Sequence, residues 1–145
     1  MNVQSILGVK GADVSTIGQA ASLSEAAQKL RELGIGALVV SGDGTTIEGI
    51  LSERDVVSAL DAHGAGALSC TVGSAMSSDV FTCRIDDPVE HLMELMTTRR
   101  VRHVPVVDDD GAMQGIVSIG DVVKGRLGQL ENENQALSDY IHYGR

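Results

Sequence analysis

Three observations predict an α+β fold made of two copies of one β-α-β-β-α unit, plus an extended C-terminal helix. The first is an internal repeat. Gly49-Ile50-Leu51-Ser52-Glu53-Arg54-Asp55-Val56-Val57 returns as Gly115-Ile116-Val117-Ser118-Ile119-Gly120-Asp121-Val122-Val123, at an offset of 115 − 49 = 66 residues. A fixed period of this kind marks a duplicated supersecondary unit. The second is the grammar of each copy, in which aliphatic runs, Gly/Asp-rich turns and helical stripes follow in one order. The third is composition. The chain has 145 residues, 43% of them apolar and only 2% aromatic, so one core, or two small fused ones, must be built from Val, Ile, Leu, Ala and Met.

Taken in order, Asn2–Leu7 reads as a short lead-in helix. It is echoed by Thr71–Met76, at an offset of 76 − 7 = 69. Val14–Ile17 is β-prone. Ser22 or Ser24 caps a helix whose apolar positions Leu23, Ala26, Ala27, Leu30 and Leu33 keep helical spacing, and Gly34 ends it. Ile35–Val40 is an apolar strand, residues 41–45 a hairpin turn, and Ile47–Leu51 the return strand. Ser52 then opens a helix over Glu53–Ala62, with Asp55 in its first turn. His63–Ser69 is small and flexible in composition and reads as the linker.

The second copy predicts a strand at Val80–Cys83 and a helix opened by Pro88 with Val89, Leu92, Met93 and Met96 as its stripe. A strand over Val101–Val107 contains Pro105, which needs a place where no ladder N–H is required. Residues 108–111 turn, and Met113–Val117 returns. From Gly120 the last helix carries an apolar seam of Val122, Val123, Leu127, Leu130 and Leu137, interrupted by the polar stretch 131–135. The expected division is 1–66, 67–130 and a tail of 131–145.

The net charge of −9 repels nucleic-acid backbones and anionic membrane surfaces, and the scarcity of aromatics removes the platforms that single strands stack on. No apolar run approaches the roughly 20 residues that span a bilayer. Cys70 and Cys83 read as reduced thiols of a cytoplasmic protein, with nothing before them resembling a signal peptide. His63, His91 and His142 lack ligand spacing, so no metal is expected. Neither a nucleophile motif, a Walker pattern nor an acid–base pair is present, so no enzyme and no required cofactor are expected.

The paired prologues of V-x-S-x-(M/L) type, the segment V-P-V-V-D-x-D-G at Val104–Gly111 and the two G-h-h-S-x-x-D segments resemble the CBS-domain family. The pair looks like a CBS pair, or Bateman module, over about Asn2–Leu130. The resemblance implies two repeats related by a pseudo-two-fold, with two clefts between them for adenosine-containing ligands: AMP, ADP, ATP, S-adenosylmethionine or a dinucleotide such as NAD. It implies a regulatory module acting on a partner whose identity the residues leave open.

Candidate ligand residues follow. Asp121 and Asp55 are carboxylates suited to a ribose diol, with Ser118 and Ser52 beside them; the same residues also make plain helix caps. Arg102 and His103 offer charge-assisted donors to a phosphate, within the chain's one concentrated basic cluster at 99–103. Arg99 and Arg100 read mainly as a solvated helix end. Arg54 stands where the other copy has Gly120; it is either a phosphate donor or a surface arginine, while Gly120 allows close ligand approach. By the resemblance, Thr16, Ala37, Thr82 and Pro105 also belong to the clefts.

Repeat one departs from the pattern, with Gly36-Ala37 where repeat two has Arg102-His103. Asp121 is therefore expected to outrank Asp55 in binding. The competing function is a structural or dimerisation module with degenerate clefts. A homodimer is expected, burying Ala26, Ala27 and Leu30 of one repeat and Leu92, Met93 and Met96 of the other.

Overall fold

The computed structural model describes residues 1–143. Repeat one consists of β1 (Thr16–Ile17), α2 (Leu23–Leu33), β2 (Ala37–Val40), β3 (Gly49–Ser52) and α3 (Glu53–His63), and is preceded by α1 (Val3–Lys10). Repeat two follows α4 (Val72–Ala75) with α5 (Val89–Arg99), β4 (His103–Val107), β5 (Met113–Ser118) and α6 (Ile119–Tyr143). The sequence-predicted order of elements is thus present except for the first strand of repeat two, with the long C-terminal helix.

Local chemistry sets the helix ends. Ser22 Oγ accepts the Glu25 N–H at 3.1 Å to start α2, and Gly34 ends it in the left-handed region at φ 63°. The equivalent end of α5 is taken by Arg100, the one non-glycine residue with positive φ among the described residues, at 54°. The segment expected as a flexible linker is instead a 3-10 turn over Gly64–Ser69, because Ala67 is buried in the repeat-one core and pins it.

In repeat one, β1 pairs parallel with β2 and β2 antiparallel with β3. In repeat two, β4 and β5 pair antiparallel, but Val80–Cys83 is no strand; one parallel bridge joins Cys83 to Val106. Pro105 supplies the reason. In repeat one the Val39 N–H donates to Ser15 O at 3.3 Å. The residue 66 places on from Val39 is Pro105, which has no N–H to give the Phe81 carbonyl. The ladder shrinks to the bonds around Cys83, and Phe81 is left outside it.

Each lead-in helix packs in the core of the other repeat. Val3 and Ile6 of α1 are buried with Val89, Leu92, Val104 and Val117. Val3 and Gln4 donate to the carbonyls of Asp87 and Ile85 at 3.0 and 2.8 Å. Reciprocally, Val72 is buried with Leu23, Leu38 and Leu51, and Val72 and Gly73 donate to Ala21 O and Gln19 O at 2.8 and 3.0 Å. The exchange explains the glycine that opens both repeated segments. A Cβ on Gly49 would lie 2.5 Å from Met76 Sδ, and one on Gly115 would lie 2.9 Å from Leu7 Cδ2. Each glycine lets its strand press against the other repeat's prologue.

Of the six helix residues expected to be uncovered, Met93 is exposed and Ala27 half-buried. Ala26, Leu30, Leu92 and Met96 are buried within their own repeats. Other exposed apolar side chains include Leu33, Val57, Leu60, Ile119 and a row along α6. Both thiols are free; burial pushes the Cys83 thiol up to about 12, with Asp87 adding to the shift.

Candidate functional site

The two G-h-h-S-x-x-D segments end β3 and β5 and begin α3 and α6. Each makes the same reciprocal cap. Ser52 Oγ accepts the Asp55 N–H at 3.3 Å, while Asp55 Oδ2 accepts the Ser52 N–H and hydroxyl at 2.8 and 3.0 Å. Ser118 and Asp121 repeat this at 3.2, 2.8 and 2.9 Å. One oxygen of each carboxylate serves the cap; the other, Oδ1, makes no hydrogen bond among the described residues. Capping and ligand contact therefore coexist at one side chain.

The surroundings of the two carboxylates differ. Asp55 borders a cleft of about 480 Å3 between the repeats. Repeat one contributes Gly36, Ile50, Ser52, Glu53 and Arg54; the chain after α4 contributes Ser77, Asp79, Val80 and Phe81. Repeat two supplies Arg100–His103 and Ser118–Gly120. The volume suits a nucleoside phosphate. Arg54, Arg100 and Arg102 form no ion pair among the described residues. Arg99 lies over the Phe81 ring at 5.2 Å from its centroid, backing the aromatic wall.

Asp121 does not line this cleft. Lys10 Nζ lies 2.6 Å from its Oδ2 and donates to Ile116 O at 2.7 Å. Burial alone would raise the Asp121 carboxyl, but the hydrogen bonds from Lys10 and Ser118 outweigh it and hold the carboxyl below its ordinary 3.8. Asp121 faces a groove of about 810 Å3 between α1 and α6, lined by Met1, Ile6, Val9, Gly125 and Gly128 among others and containing no arginine.

The expected grouping by repeat is therefore crossed. Arg102, His103, Ser118 and Gly120 of repeat two share a cleft with Ser52, Arg54 and Asp55 of repeat one. The Gly36-Ala37 departure has a physical reason. A Cβ on Gly36 would meet His103 Cε1 at 3.1 Å and Glu53 Oε1 at 3.3 Å. Near the pseudo-axis one side chain fits, and repeat two supplies it. Burial, then the neighbouring Arg102 and Lys10 charges, push the His103 imidazole down, so at neutral pH it is an uncharged hydrogen-bonding group.

The remaining candidates stand elsewhere. Ala37 and Pro105 are buried within β2 and β4, Thr82 is exposed, and the Thr16 carbonyl accepts from Lys29 Nζ; none of the four lines the cleft. Phe81 and Asp79 line it without having been singled out in the sequence, and Arg100, read there as a solvated helix end, lines it too. Arg100 carried one signal, since it sits 66 residues beyond the terminating Gly34. Among the described residues no group of three His, Cys, Asp or Glu could hold a metal ion, and no helix is long and apolar enough to cross a membrane.

Comparison with known proteins agrees with the paired fold. The family model of the CBS domain matches twice, over residues 9–62 and 72–128. A mitochondrial CBS domain-containing protein of Arabidopsis thaliana is 36% identical over 124 residues, covering 83% of this chain and 60% of its own. An uncharacterised Methanopyrus kandleri protein is 33% identical, with 77% of this chain and 57% of its own covered. The chain thus spans about 60% of the length of these curated relatives. Among solved structures, a CBS-domain containing protein from Agrobacterium tumefaciens is 44% identical with a TM-score of 0.84, over 87% of this chain and 99% of that one. A CBS pair solved with 5′-methylthioadenosine and S-adenosylmethionine is 29% identical with a TM-score of 0.78, over 89% and 98%.

Proposed function

Because this chain belongs to the CBS-domain family, as a tandem pair, we propose that it is a regulatory module that binds an adenine nucleotide of the AMP/ADP/ATP class at the Asp55 cleft. One observation carries the reading: three arginines without ion pairs and a carboxylate with an unused oxygen border the same cleft. The Asp55 Oδ1 accepts from ribose hydroxyls, and the guanidiniums of Arg54, Arg100 and Arg102 hold phosphate oxygens. Phe81, Val80 and Ile50 supply apolar wall for a base. The related CBS pair solved with two adenosine compounds supports the adenosine part.

The ligand acts by bridging. Asp55 belongs to repeat one and the other two arginines to repeat two, so binding favours whichever arrangement of the repeats brings both sets to the ligand. A ligand shifts such an equilibrium only by its affinity difference between states. The shifted state is passed to a partner protein; the module has no catalytic role, works as a homodimer and sits in a reducing cytoplasm, which its two free thiols fit. The alternative of a degenerate cleft is favoured only on the Asp121 side, where Lys10 already occupies the carboxylate.

A panel of AMP, ATP, NAD, S-adenosylmethionine and 5′-methylthioadenosine, read by thermal shift and calorimetry, tests the reading. Phosphate-bearing ligands should bind about tenfold or more tightly than methylthioadenosine, the difference of a charge-assisted contact. Equal or tighter binding of the phosphate-free compounds contradicts it.

A further inference from the structure

The last helix carries a pattern that the nucleotide cleft does not use. Val123, Leu127, Leu130, Asn134, Leu137 and Ile141 follow one another at intervals of 4, 3, 4, 3 and 4 residues along α6. That is the heptad spacing of a two-stranded seam, with Val123, Leu130 and Leu137 at d and Leu127, Asn134 and Ile141 at a. The five apolar members are between 42% and 58% exposed, although the same helix buries Val122 to 2%. The burial follows from geometry. Gly125 lies on the side opposite the seam, against Met1 and Ile6, and Val122, on the flank beside the seam, is buried in the repeat-two core. The inner face docks on the body; the heptad face is left over.

We infer that α6 pairs with α6 of a second copy as a short parallel coiled coil in register at Asn134. Two features select a copy of this chain as the occupant. Asn134 interrupts an otherwise apolar seam at an a position, and its side chain is satisfied there by the same amide directly opposite, which only an in-register parallel copy presents. Charge gives the second. In a parallel pair a g residue faces the e residue five places on in the other strand, and here Arg126 at g faces Glu131 at e. Arg126 spends one nitrogen, Nη1, on Gln129 and Glu90 of its own chain, at 2.8 and 3.5 Å. Its other guanidinium donors remain for Glu131 across the seam. The next g residue, Glu133, faces Ser138, so no like charges oppose each other.

The seam covers fewer than three heptads, short for a free-standing coil. It does not stand alone. Its first turns run into an apolar groove of about 230 Å3 lined by Met93, Met96, Ile119, Val122, Val123 and Leu127. Body and tail thus offer one continuous surface. Parallel pairing about a two-fold places repeat two of one copy beside repeat two of the other. This inference does not rest on the nucleotide reading.

The test is made on the full-length protein. Asn134→Cys, under mild oxidation, should convert to a disulfide-linked dimer on a non-reducing gel. Asn132→Cys, on the side of the helix opposite the seam, should not, and neither should the parent with Cys70 and Cys83. Leu130→Asp with Leu137→Asp should weaken self-association measured by sedimentation about tenfold or more, with helical content of the body retained by circular dichroism. A parent that sediments as a monomer at micromolar concentration overturns the inference. So does cross-linking of Asn134→Cys no greater than that of Asn132→Cys, or unaltered self-association in the double aspartate variant.

Discussion

Lys10 holds Asp121, with its ammonium 2.6 Å from Oδ2, while the pseudo-equivalent Asp55 has no basic partner among the described residues. The 69-residue offset that pairs Leu7 with Met76 also pairs Lys10 with Asp79, so a cation on one side answers an anion on the other. A difference of one residue type makes two related sites electrostatically unlike.

The pair has a pH signature. The Asp121 carboxyl is held below its ordinary 3.8, so its contribution is complete above that value and is lost as pH falls through the lower, folded one. Both side chains are partly exposed, so the contribution is about 0.5–1 kcal/mol. Lys10→Met should cost that much in urea unfolding at neutral pH, and parent and variant should converge in strong acid. A gap that persists in acid would mean that Lys10 acts by packing.

Arg100 has a φ of 54°, in the left-handed region that Gly34 occupies without strain at the end of α2. The left-handed conformation costs a non-glycine residue about 1 kcal/mol, and strain of this kind collects at functional positions. Arg100→Gly should raise stability by about 0.5–1 kcal/mol while weakening AMP binding about tenfold. Stability and affinity moving in the same direction would argue against a binding role for this arginine.

The prologue exchange predicts large effects from small additions. Gly115→Ala puts a methyl 2.9 Å from Leu7, and Gly49→Ala puts one 2.5 Å from Met76 Sδ and 2.9 Å from the Ser77 carbonyl. Overpacking of this kind costs about 1–3 kcal/mol. Gly49→Ala should cost more, since backbone as well as side chain must move. Leu7→Ala should recover part of the loss in Gly115→Ala, and additive losses in that double variant would place the clash elsewhere.

Much of the fold could be read from local chemistry. The repeat, the Ser22 and Ser52 caps, Gly34 and the polar turns act within a few residues, so sequence shows them. What it did not show depends on residues far apart. The missing strand at Val80–Cys83 follows from Pro105 acting through a bond that only the folded pair would make. The role of Gly36 follows from His103, which arrives there from the other repeat. Arg102 and His103 line the cleft, but the carboxylate that shares it could not be assigned by proximity in sequence. The pseudo-two-fold sends them to Asp55, and Lys10 reaches Asp121 from more than a hundred residues away.

The most direct measurement is calorimetric titration of AMP into the parent protein, Asp55→Ala and Asp121→Ala. Loss of a hydrogen-bonded partner to a buried ligand hydroxyl costs about 1–3 kcal/mol, or roughly 5- to 150-fold in affinity. Asp55→Ala should lose affinity by that factor and keep its fold, because Ser52 Oγ still accepts the N–H of residue 55. Asp121→Ala should bind AMP nearly as the parent does. Unchanged binding by Asp55→Ala, or a greater loss in Asp121→Ala, would contradict the assignment of the nucleotide to the Asp55 cleft.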